Sequence, residues 1–568
     1  MKKFLLVISC IILMFALCAC DLGYGVNVGE GGITKGSNAG FKPVASNNAQ
    51  TSVGGNGGNN QTSIGGGNGG NTQTSVGGGN TQTSTGGNGG NTQTSTGGNT
   101  QTSTGGNTQT STGGNGGGTT GGGQPSGEVS SSIKPISQGG LSESAFVTWA
   151  DSNISSAAAY YKLSSASNWT QADKELIRNV GGNARVDFLG LKAGTYDLRV
   201  HVGGENADIE IKNVVVNAYD RSGYAHDGFS GVGAYNDDGT LKSGVSVVYV
   251  SESTKANLVS SIQKGNVCVR ILGKISCPQY LSKNKLDSSI TDIKGITRSN
   301  LGDDSYWNMI DVSGKSNVTV EGVGTDAEFF QFGLTFKKCN SIEVRNLTFS
   351  DYPEDACSFE GSKGSEGSYK NYWVHNNQFN VGKNGWDLTS EQDKHYGDGA
   401  TDIKHCSNVT MSYNLYNGCQ KTMLVGGADS HVQYNVTLHH NYYKSNKSRL
   451  PLARVGNVHI YNCYYESNTT CLSARANAFI FLEANYFKSN STLTDSNTKF
   501  KIKAYNNTFD GTKKTSYISE VTSRDASVST SNKYDTKFAY KKAISYCSDA
   551  KTAMSDCKQY SGVGKGNK

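Results

Sequence analysis

Residues 435–443 read NVTLHHNYY, in which a short β-branched strand is followed by an asparagine, one further residue and an aromatic residue. The same Asn-x-aromatic signal recurs along the second half of the chain. Its six occurrences are Asn377-Gln378-Phe379, Asn414-Leu415-Tyr416, Asn441-Tyr442-Tyr443, Asn462-Cys463-Tyr464, Asn485-Tyr486-Phe487 and Asn507-Thr508-Phe509. The intervals between these asparagines are 37, 27, 21, 23 and 22 residues, which converge on the length of one solenoid coil.

This repeat predicts an all-β protein whose main part is a right-handed parallel β-helix. Stacked asparagines can hydrogen-bond along the coil axis and tolerate a left-handed turn, while the aromatic residues stack inside. A run of ordinary hairpins is the competing interpretation. It is disfavoured because two-residue NG or DG turns rarely join these strands. Residues 252–264 could form a helix that covers the first coil.

Charged residues cluster between Asp398 and Arg454. Asp398 and Asp402 are four residues apart, so in an extended chain they point to the same side. Lys421 follows about one coil later, and Arg449 and Arg454 follow about one coil after that. Since neighbouring strands lie about 4.8 Å apart, the basic side chains would lie beside the acids. The pattern predicts one groove for a hard cation and an anionic sugar.

The composition and the first residues limit the partners. The chain has 568 residues and a formal net charge of only +6, which does not indicate nucleic-acid binding. Residues 1–20 begin with two lysines before an apolar run and predict an export signal. Leu17-Cys18-Ala19-Cys20 resembles a bacterial lipobox, which implies lipid attachment at Cys20 and anchoring at the cell surface or outer membrane. Plain secretion is the alternative.

The composition divides the remaining chain into three parts. Residues 21–127 repeat units such as NTQTSTGGN and predict a flexible, disordered linker. Residues 128–218 contain short alternating runs and resemble a fibronectin type III β-sandwich, with Trp149 in its core and Tyr196 near the position of a corner tyrosine. Residues 219–568 form the predicted parallel β-helix domain.

Cysteine usage also carries a prediction. Ten of the thirteen cysteines follow the signal segment, and an even number in an exported chain suggests disulfides. The spacing allows pairs such as Cys547 with Cys557 or Cys406 with Cys419, without selecting any one.

Five blocks carry a family resemblance. They are Asn371–Asn377 (NYWVHNN), Asp398–Ile403 (DGATDI), Lys421–Gly426 (KTMLVG), His439–Asn441 (HHN) and Arg449–Gly456 (RLPLARVG). In this order they resemble the successive signature blocks of the family 1 pectate lyases, over roughly Tyr224 to Asn507. The resemblance implies calcium-dependent β-elimination of (1,4)-α-D-galacturonan (pectate), giving oligosaccharides with 4,5-unsaturated galacturonosyl ends. We expect a monomer.

The same resemblance implies the roles of individual residues. Asp355, Asp398 and Asp402 would bind Ca²⁺, although Pro353 stands where the family often has a further acid. Lys421 and Arg454 would bind the uronate carboxylate, and Arg449 would be the base. General chemistry alone would favour Lys421 as the base, because lysine loses its proton more readily than arginine.

Other interpretations stay open at this point. His439 and His440 are expected to be structural, one of them pointing into the coil, and Trp386 could either stack on sugar or seal its loop. A polygalacturonase-like hydrolase would need aspartates placed for an acid and a water-activating base. A non-catalytic surface protein that binds pectin is a further alternative.

Overall fold

The computed structural model describes residues 133–150, 154–203, 208–276, 281–282, 285–286, 309–352, 354–380, 397–430, 435–528, 538 and 540–567. The predicted signal segment, the linker, Cys20, Pro353 and Trp386 lie outside these ranges. Export, lipid attachment and the domain boundaries therefore stay predictions. In the part of the chain that the structure describes, no helix combines the length and apolar character that a membrane span requires.

Eight antiparallel strands form the first folded part. They are β1 (Pro135–Gly140), β2 (Ser144–Trp149), β3 (Ala158–Leu163), β4 (Thr170–Gln171), β5 (Ile177–Val180), β6 (Asn183–Leu189), β7 (Gly194–His201) and β8 (Asp208–Val216). They make two four-stranded sheets, ordered β1-β2-β6-β5 and β4-β3-β7-β8. Trp149 is fully buried between them, and the Tyr196 hydroxyl donates to the carbonyl of Lys192 at 3.0 Å. A β-sandwich is present, and its membership of the fibronectin type III class stays a prediction.

The second folded part is built from short parallel strands. From its start to residue 380 they are β9 (Ser246–Ser251), β10 (Val267–Ser276), β11 (Leu281–Ser282), β12 (Lys285–Leu286), β13 (Met309–Ser313), β14 (Ser316–Phe330), β15 (Gly333–Lys337), β16 (Asn340–Arg345), β17 (Thr348–Ser350), β18 (Asp355–Glu360), β19 (Lys370–His375) and β20 (Gln378–Asn380). Only β11 and β12 depart from this pattern and pair antiparallel with each other.

The later coils continue the same succession. Their strands are β21 (Gly399–Lys404), β22 (Ser407–Ser412), β23 (Leu415–Asn417), β24 (Met423–Val425), β25 (Asn435–His439), β26 (Tyr442–Lys444), β27 (Leu452–Tyr461), β28 (Tyr464–Glu466), β29 (Thr470–Glu483), β30 (Tyr486–Lys488), β31 (Thr492–Thr494), β32 (Ile502–Tyr505), β33 (Thr508–Asp510) and β34 (Ile518–Glu520).

Each coil contributes one strand to each of three parallel sheets. The first sheet contains β13, β15, β18, β21, β24 and the beginnings of β27 and β29. The second contains β16, β19, β22, β25, the ends of β27 and β29, and β32. The third contains β17, β20, β23, β26, β28, β30 and β33. The predicted parallel β-helix is therefore confirmed.

The aromatic residues stack along the solenoid axis as the sequence predicts. Phe379 stacks on Tyr416 at 4.9 Å between ring centroids, and Tyr416 stacks on Tyr443 at 5.0 Å. Asn377 and Asn414 run alongside, because the backbone N–H of Asn377 donates to Oδ1 of Asn414 at 3.0 Å. These contacts explain why the triplet recurs once per coil.

One of the six predicted triplets is out of register by one residue. Tyr465, not Tyr464, stacks on Tyr443, with 4.6 Å between centroids. Cys463 occupies the ladder position, and its N–H donates to Oδ1 of Asn485 at 2.8 Å. Asn462 instead donates its side-chain amide to the carbonyl of Cys547. The sequence pattern selects Asn462 because it is an asparagine, whereas the residue that occupies the ladder position on this coil is the cysteine that follows it.

A second asparagine ladder was not predicted. Oδ1 of Asn446 accepts from the N–H of Cys419 at 2.8 Å, and Asn468 and Asn490 repeat this contact on the next coils. From Asn446 onwards, successive asparagines of this ladder are 22 residues apart in sequence. The signal that could have found them is this constant spacing.

A short helical segment and the C-terminal tail cover the solenoid. A 3₁₀ helix (Glu252–Asn257) leads into α1 (Leu258–Ile262), whose Leu258 and Ile262 are fully buried in the solenoid core, as the helix prediction requires. The tail carries α2 (Ala550–Tyr560) along the flank. Its N–H at Asn567 reaches Oγ of Ser142 at 2.8 Å.

Buried charges join the sandwich to the solenoid. Arg178 of β5 donates to Asp326 and to the carbonyl of Val323, each at 2.9 Å. Glu143 is only 1% exposed and pairs with Arg221 and with Arg345 at 3.7 Å. Because buried charges are costly unless paired, these contacts hold the sandwich at one place on the first coils.

The disulfide prediction is wrong for the described residues. All nine cysteines in the described ranges are free thiols, and eight of them are buried. Cys406 and Cys419 lie in the core cluster of the solenoid. The six cysteines in that cluster act as small apolar residues in a repetitive core.

Candidate active site

The three predicted metal ligands lie on the first parallel sheet. Asp355 begins β18, Asp402 lies within β21, and Asp398 immediately precedes β21. These two strands pair with Asp355 opposite Gly399 and Ser358 opposite Asp402. The strand register therefore brings acids 47 residues apart in sequence onto neighbouring coils.

Two of the carboxylates converge over Gly399. A Cβ atom built on Gly399 would lie 2.5 Å from Oδ1 of Asp402 and 2.6 Å from Oδ1 of Asp355. No side chain fits there, so glycine is what allows the two acids to approach. Oδ2 of Asp355 accepts from Ser358, whereas its buried Oδ1 has no hydrogen-bond partner among the described residues.

Burial and mutual repulsion disfavour the charged forms of Asp355 and Asp402. Burial, followed by the charge of Asp355, raises the pKa of Asp402 well above its ordinary value. Burial also raises the pKa of Asp355, and Asp398 adds to that effect. Lys404 lowers the pKa of both acids, and Arg449 lowers that of Asp402. A further cation between them would relieve their repulsion.

Lys404 is a member of the site that the sequence reasoning missed. Its Nζ lies 3.9 Å from Oδ2 of Asp402 and 4.0 Å from Oδ2 of Asp355. Burial alone would lower the pKa of Lys404, but Asp402, Asp355 and Glu360 raise it overall. The period-2 alternation of β21, which places Asp402 and Lys404 on one face, could have found it.

Lys421 and Arg449 lie on the next two coils. Nζ of Lys421 lies 2.7 Å from Oδ1 of Asp398. A parallel bridge joins Lys421 to Ser448, directly before Arg449. Arg449 is half-buried, has a φ of +63°, and accepts the N–H of Met423 at its carbonyl. A left-handed conformation is uncommon for arginine and is held here by the turn.

Arg454 belongs to a group of three arginines. Its Nε donates to Asp429 at 3.1 Å, and its NH1 donates to the carbonyl of Gly426 at 2.8 Å. The charges of Arg475 and Arg449, after burial, lower the pKa of Arg454. Arg475 faces Arg454 across the pairing of β27 with β29, and the sequence reasoning did not select it. The spacing of one coil could have found it.

The donor set fits a calcium ion. It offers carboxylate oxygens, one of them buried without a partner, and calcium takes six to eight oxygen ligands with water or substrate among them. The ligand atoms of Asp355, Asp398 and Asp402 do not all lie within 4.8 Å of one another. Among the described residues, only the cluster of Asp220, His439 and His440 meets that limit. Asp398 is held by Lys421 at the same time.

His439 and His440 lie elsewhere, on the second sheet and its following turn. The imidazoles of His440 and His439 stack on Tyr413 and Tyr461, which lie outside the hydrophobic core of the solenoid, so the expectation that one of them points inward is wrong. Leu438 takes the inward position, and both imidazoles lie under the segment that links the sandwich to the solenoid. Burial lowers the pKa of His439 to about 3.

The fold and the site together define the class of protein, which is a parallel β-helix with acids and arginines on one sheet. A family model described as pectate lyase matches residues 281–566, which is half of the chain. The chain belongs to the pectate lyase family.

Several curated proteins are similar over part of their length. The pectate trisaccharide-lyase of Bacillus licheniformis is 36% identical over 153 residues, covering 26% of this chain and 42% of that protein. Pectate lyase C of Dickeya chrysanthemi is 35% identical over 138 residues, covering 24% of this chain and 36% of that protein. The chain thus spans about two fifths of the length of these relatives.

Solved structures are similar at lower identity. A pectate lyase from Bacillus sp. N165 in complex with trigalacturonate has 22% identity and a TM-score of 0.41, covering 60% of this chain and 98% of that chain. Pectate lyase C from Erwinia chrysanthemi, solved with Ca²⁺, has 22% identity and a TM-score of 0.40, covering 56% of this chain and 92% of that chain.

Proposed function

We propose that this protein is a calcium-dependent pectate lyase that cleaves (1,4)-α-D-galacturonan by β-elimination. The observation that supports this most directly is the convergence of Asp355 and Asp402 over Gly399, beside the cations of Lys404, Lys421 and Arg449. A site with buried acids and flanking cations suits a polyanionic sugar joined to the protein through a divalent ion.

Asp355, Asp398 and Asp402 are the residues that would hold Ca²⁺. When bound there, the ion supplies positive charge that neutralises the acids and polarises a uronate carboxylate. Gly399 keeps the space between two of these acids free of side-chain atoms. A calcium ion would also give the buried Oδ1 of Asp355 a partner, which this atom lacks among the described residues.

Lys421 and Arg454 bind and orient the uronate carboxylate. Both are partly exposed and already hold an acid, Lys421 at 2.7 Å from Asp398 and Arg454 at 3.1 Å from Asp429. An anionic substrate group can replace either partner. Cations placed around that carboxylate stabilise the charge that builds on it when the neighbouring C5–H bond breaks.

Arg449 takes the proton from C5. Its guanidine, in the neutral form, accepts the proton; the C5–H electron pair forms the C4–C5 double bond, and the C4–O bond breaks. The leaving oxygen takes a proton from solvent, the proton removed from C5 is returned to solvent, and no water is consumed. Lys421 is less suited to this step because Asp398 holds it as a cation.

The experiment follows polygalacturonate by two readouts, the ultraviolet absorbance of the unsaturated product and the formation of reducing ends, with Ca²⁺ and then with a chelator. A lyase gives both signals, and the chelator removes both. A hydrolase on the same fold gives reducing ends without the absorbance, and a non-catalytic pectin-binding protein gives neither. Either of the last two results contradicts the proposal.

We also propose that the protein is exported through residues 1–20 and carries a lipid at Cys20. This rests on the sequence of the first twenty residues. The full-length protein should partition into the detergent phase of a phase-separating detergent, and the Cys20→Ala variant should remain in the aqueous phase. Equal partitioning of both proteins contradicts lipid attachment.

A further inference from the structure

A buried cluster of two histidines and one aspartate lies away from the candidate active site. His439 ends β25 and His440 follows it, while Asp220 lies between β8 and the 3₁₀ helix Tyr224–His226. One ligand atom from each of the three lies within 4.8 Å of the other two. The candidate active site is on the first sheet, so the cluster is separate from it.

The backbone makes this convergence possible. Consecutive side chains of a strand point to opposite sides, yet Nδ1 of His439 lies 3.0 Å from Nδ1 of His440. His440 has a φ of +51°, and this left-handed conformation turns its side chain back towards His439. Asn376 and Asn462 hold the same conformation on other coils, so the position exists independently of histidine.

Asp220 completes the cluster from a distant part of the sequence. Its Oδ2 lies 3.9 Å from Nδ1 of His439 and accepts the hydroxyl of Tyr413 at 3.2 Å. Its Oδ1 accepts from the N–H of Ser222 at 3.0 Å, which orients the carboxylate. A carboxylate fixed by such contacts, with one oxygen facing two imidazoles, resembles a metal ligand with its supporting hydrogen bonds.

The distances suit a small transition-metal ion. Zinc binds imidazole nitrogen and carboxylate oxygen at about 2.0 to 2.2 Å, so ligand atoms of a tetrahedral site lie about 3.3 Å apart. The observed separations of 3.0 and 3.9 Å lie on either side of this value. Two nitrogens and one oxygen suit zinc better than calcium, which prefers oxygen ligands only.

We propose that Asp220, His439 and His440 form a buried zinc site with three protein ligands. The two histidine side chains are at most 2% exposed, so the ion is enclosed and enters as the chain folds. A zinc ion there would join the segment between the sandwich and the solenoid to the coil that carries His439 and His440. The C-terminal tail contacts the same coil, because the hydroxyl of Ser561 donates to the carbonyl of His440 at 2.6 Å. The proposal is independent of the lyase activity.

The test measures zinc on the full chain. Protein refolded with ZnCl₂ in the presence of millimolar Ca²⁺, then dialysed, is analysed by mass spectrometry for bound zinc. We expect about one zinc per chain and a higher Tm than in protein refolded with a chelator. Polygalacturonate cleavage is measured in parallel, so that its failure and the failure of the zinc site are distinguishable.

His440→Asn and Asp220→Asn are the decisive variants. Asparagine is already present in the left-handed conformation at the equivalent Asn376 and Asn462, so His440→Asn should fold. Each variant should lose zinc affinity by more than about 100-fold. His405→Asn is the matched control, because His405 has a φ of +55° and lies outside the cluster. Wild-type protein without zinc, or zinc retained by either variant, overturns the proposal and leaves a plain hydrogen bond between the imidazoles.

Discussion

Nζ of Lys421 lies 2.7 Å from Oδ1 of Asp398, so a proposed substrate-binding cation holds a proposed calcium ligand. The two residues are on neighbouring coils and both are partly exposed. Under the proposed function, Lys421 would therefore compete with Ca²⁺ for Asp398 in the absence of substrate. Binding of a uronate would draw the ammonium to the substrate and release the carboxylate to the ion, which couples the two binding events.

Lys421→Met tests this coupling. Methionine keeps much of the side-chain volume but removes the charge, so we expect tighter Ca²⁺ binding to the free protein because Asp398 is released. At the same time, KM for polygalacturonate should rise by about tenfold or more, since a charge-assisted contact is lost. Isothermal titration with Ca²⁺ and steady-state kinetics measure the two effects. The exposed Lys444→Met serves as the control, and weaker calcium binding in Lys421→Met would contradict competition.

Arg449→Lys tests the assignment of the base. Lysine keeps a positive charge near Asp402 but moves the proton acceptor, so we expect kcat to fall by about 100- to 10,000-fold. Calcium affinity should change little. Product absorbance at saturating substrate gives kcat, and Arg524→Lys, on the solenoid flank beside Glu483, is the matched control. Full activity in Arg449→Lys would assign proton abstraction to another group.

Asp402→Asn separates stability from metal binding. Because burial and Asp355 raise the pKa of Asp402, its charge opposes folding in the absence of an ion. The variant should be at least as stable as the wild type in a chelator and should lose the increase in Tm that Ca²⁺ produces. For the wild type, Ca²⁺ at 100 times its Kd should add about 2.7 kcal/mol of stability.

Thermal unfolding with Ca²⁺, Mg²⁺ and chelator measures that difference. Asp510→Asn, in β33 of the third sheet, is a matched control that should keep the calcium effect. A calcium-dependent Tm increase of equal size in Asp402→Asn would remove this residue from the ligand set.

Asn414→Ala tests the asparagine ladder. The Oδ1 of Asn414 accepts from the backbone and side-chain amides of Asn377, and its Nδ2 donates to Val374 and Asn441. Alanine leaves several buried groups without partners, so we expect a loss of about 2 to 4 kcal/mol in the free energy of unfolding. Urea denaturation measures this loss. Asn417→Ala, an exposed asparagine in β23 of the same coil, should cost much less.

His226→Phe tests a source of acid sensitivity. Burial, then the charge of Arg221, lowers the pKa of His226 well below its ordinary value; His375 and Lys542 act in the same direction, and Asp237 opposes them. The unfolded chain therefore binds a proton below about pH 6.5 that the folded chain does not, and stability falls as the pH falls.

Between pH 7.5 and 5.5, this one group should cost the wild type about 1.4 kcal/mol. Phenylalanine keeps a ring against Trp373, which His226 contacts edge-on at 4.5 Å, and removes the titration. Urea denaturation at both pH values should show a smaller loss in the variant. An identical loss in both proteins would mean that His226 does not contribute.

Residues that repeat along the chain are predictable from the sequence alone. The Asn-x-aromatic spacing predicts the coil, because each coil must place the same side chains at the same point of a repeating backbone. The resemblance to the pectate lyases, carried by the order of the signature blocks, implies the roles of Asp355, Asp398, Asp402, Lys421, Arg449 and Arg454. The fold places these residues on one sheet or the turns beside it.

Contacts between coils are decided only by the tertiary structure. The inserted lengths between strands set which residues become neighbours, and a shift of one residue moves a side chain to the other face. The register therefore puts Cys463 in the ladder, aligns Asp355 with Gly399, and adds Lys404 and Arg475 to the charged sheet. It also keeps nine cysteines as free thiols and brings Asp220 to His439 across more than two hundred residues. Periodicity is a local property of the chain, whereas these pairings depend on how separate coils are aligned in space.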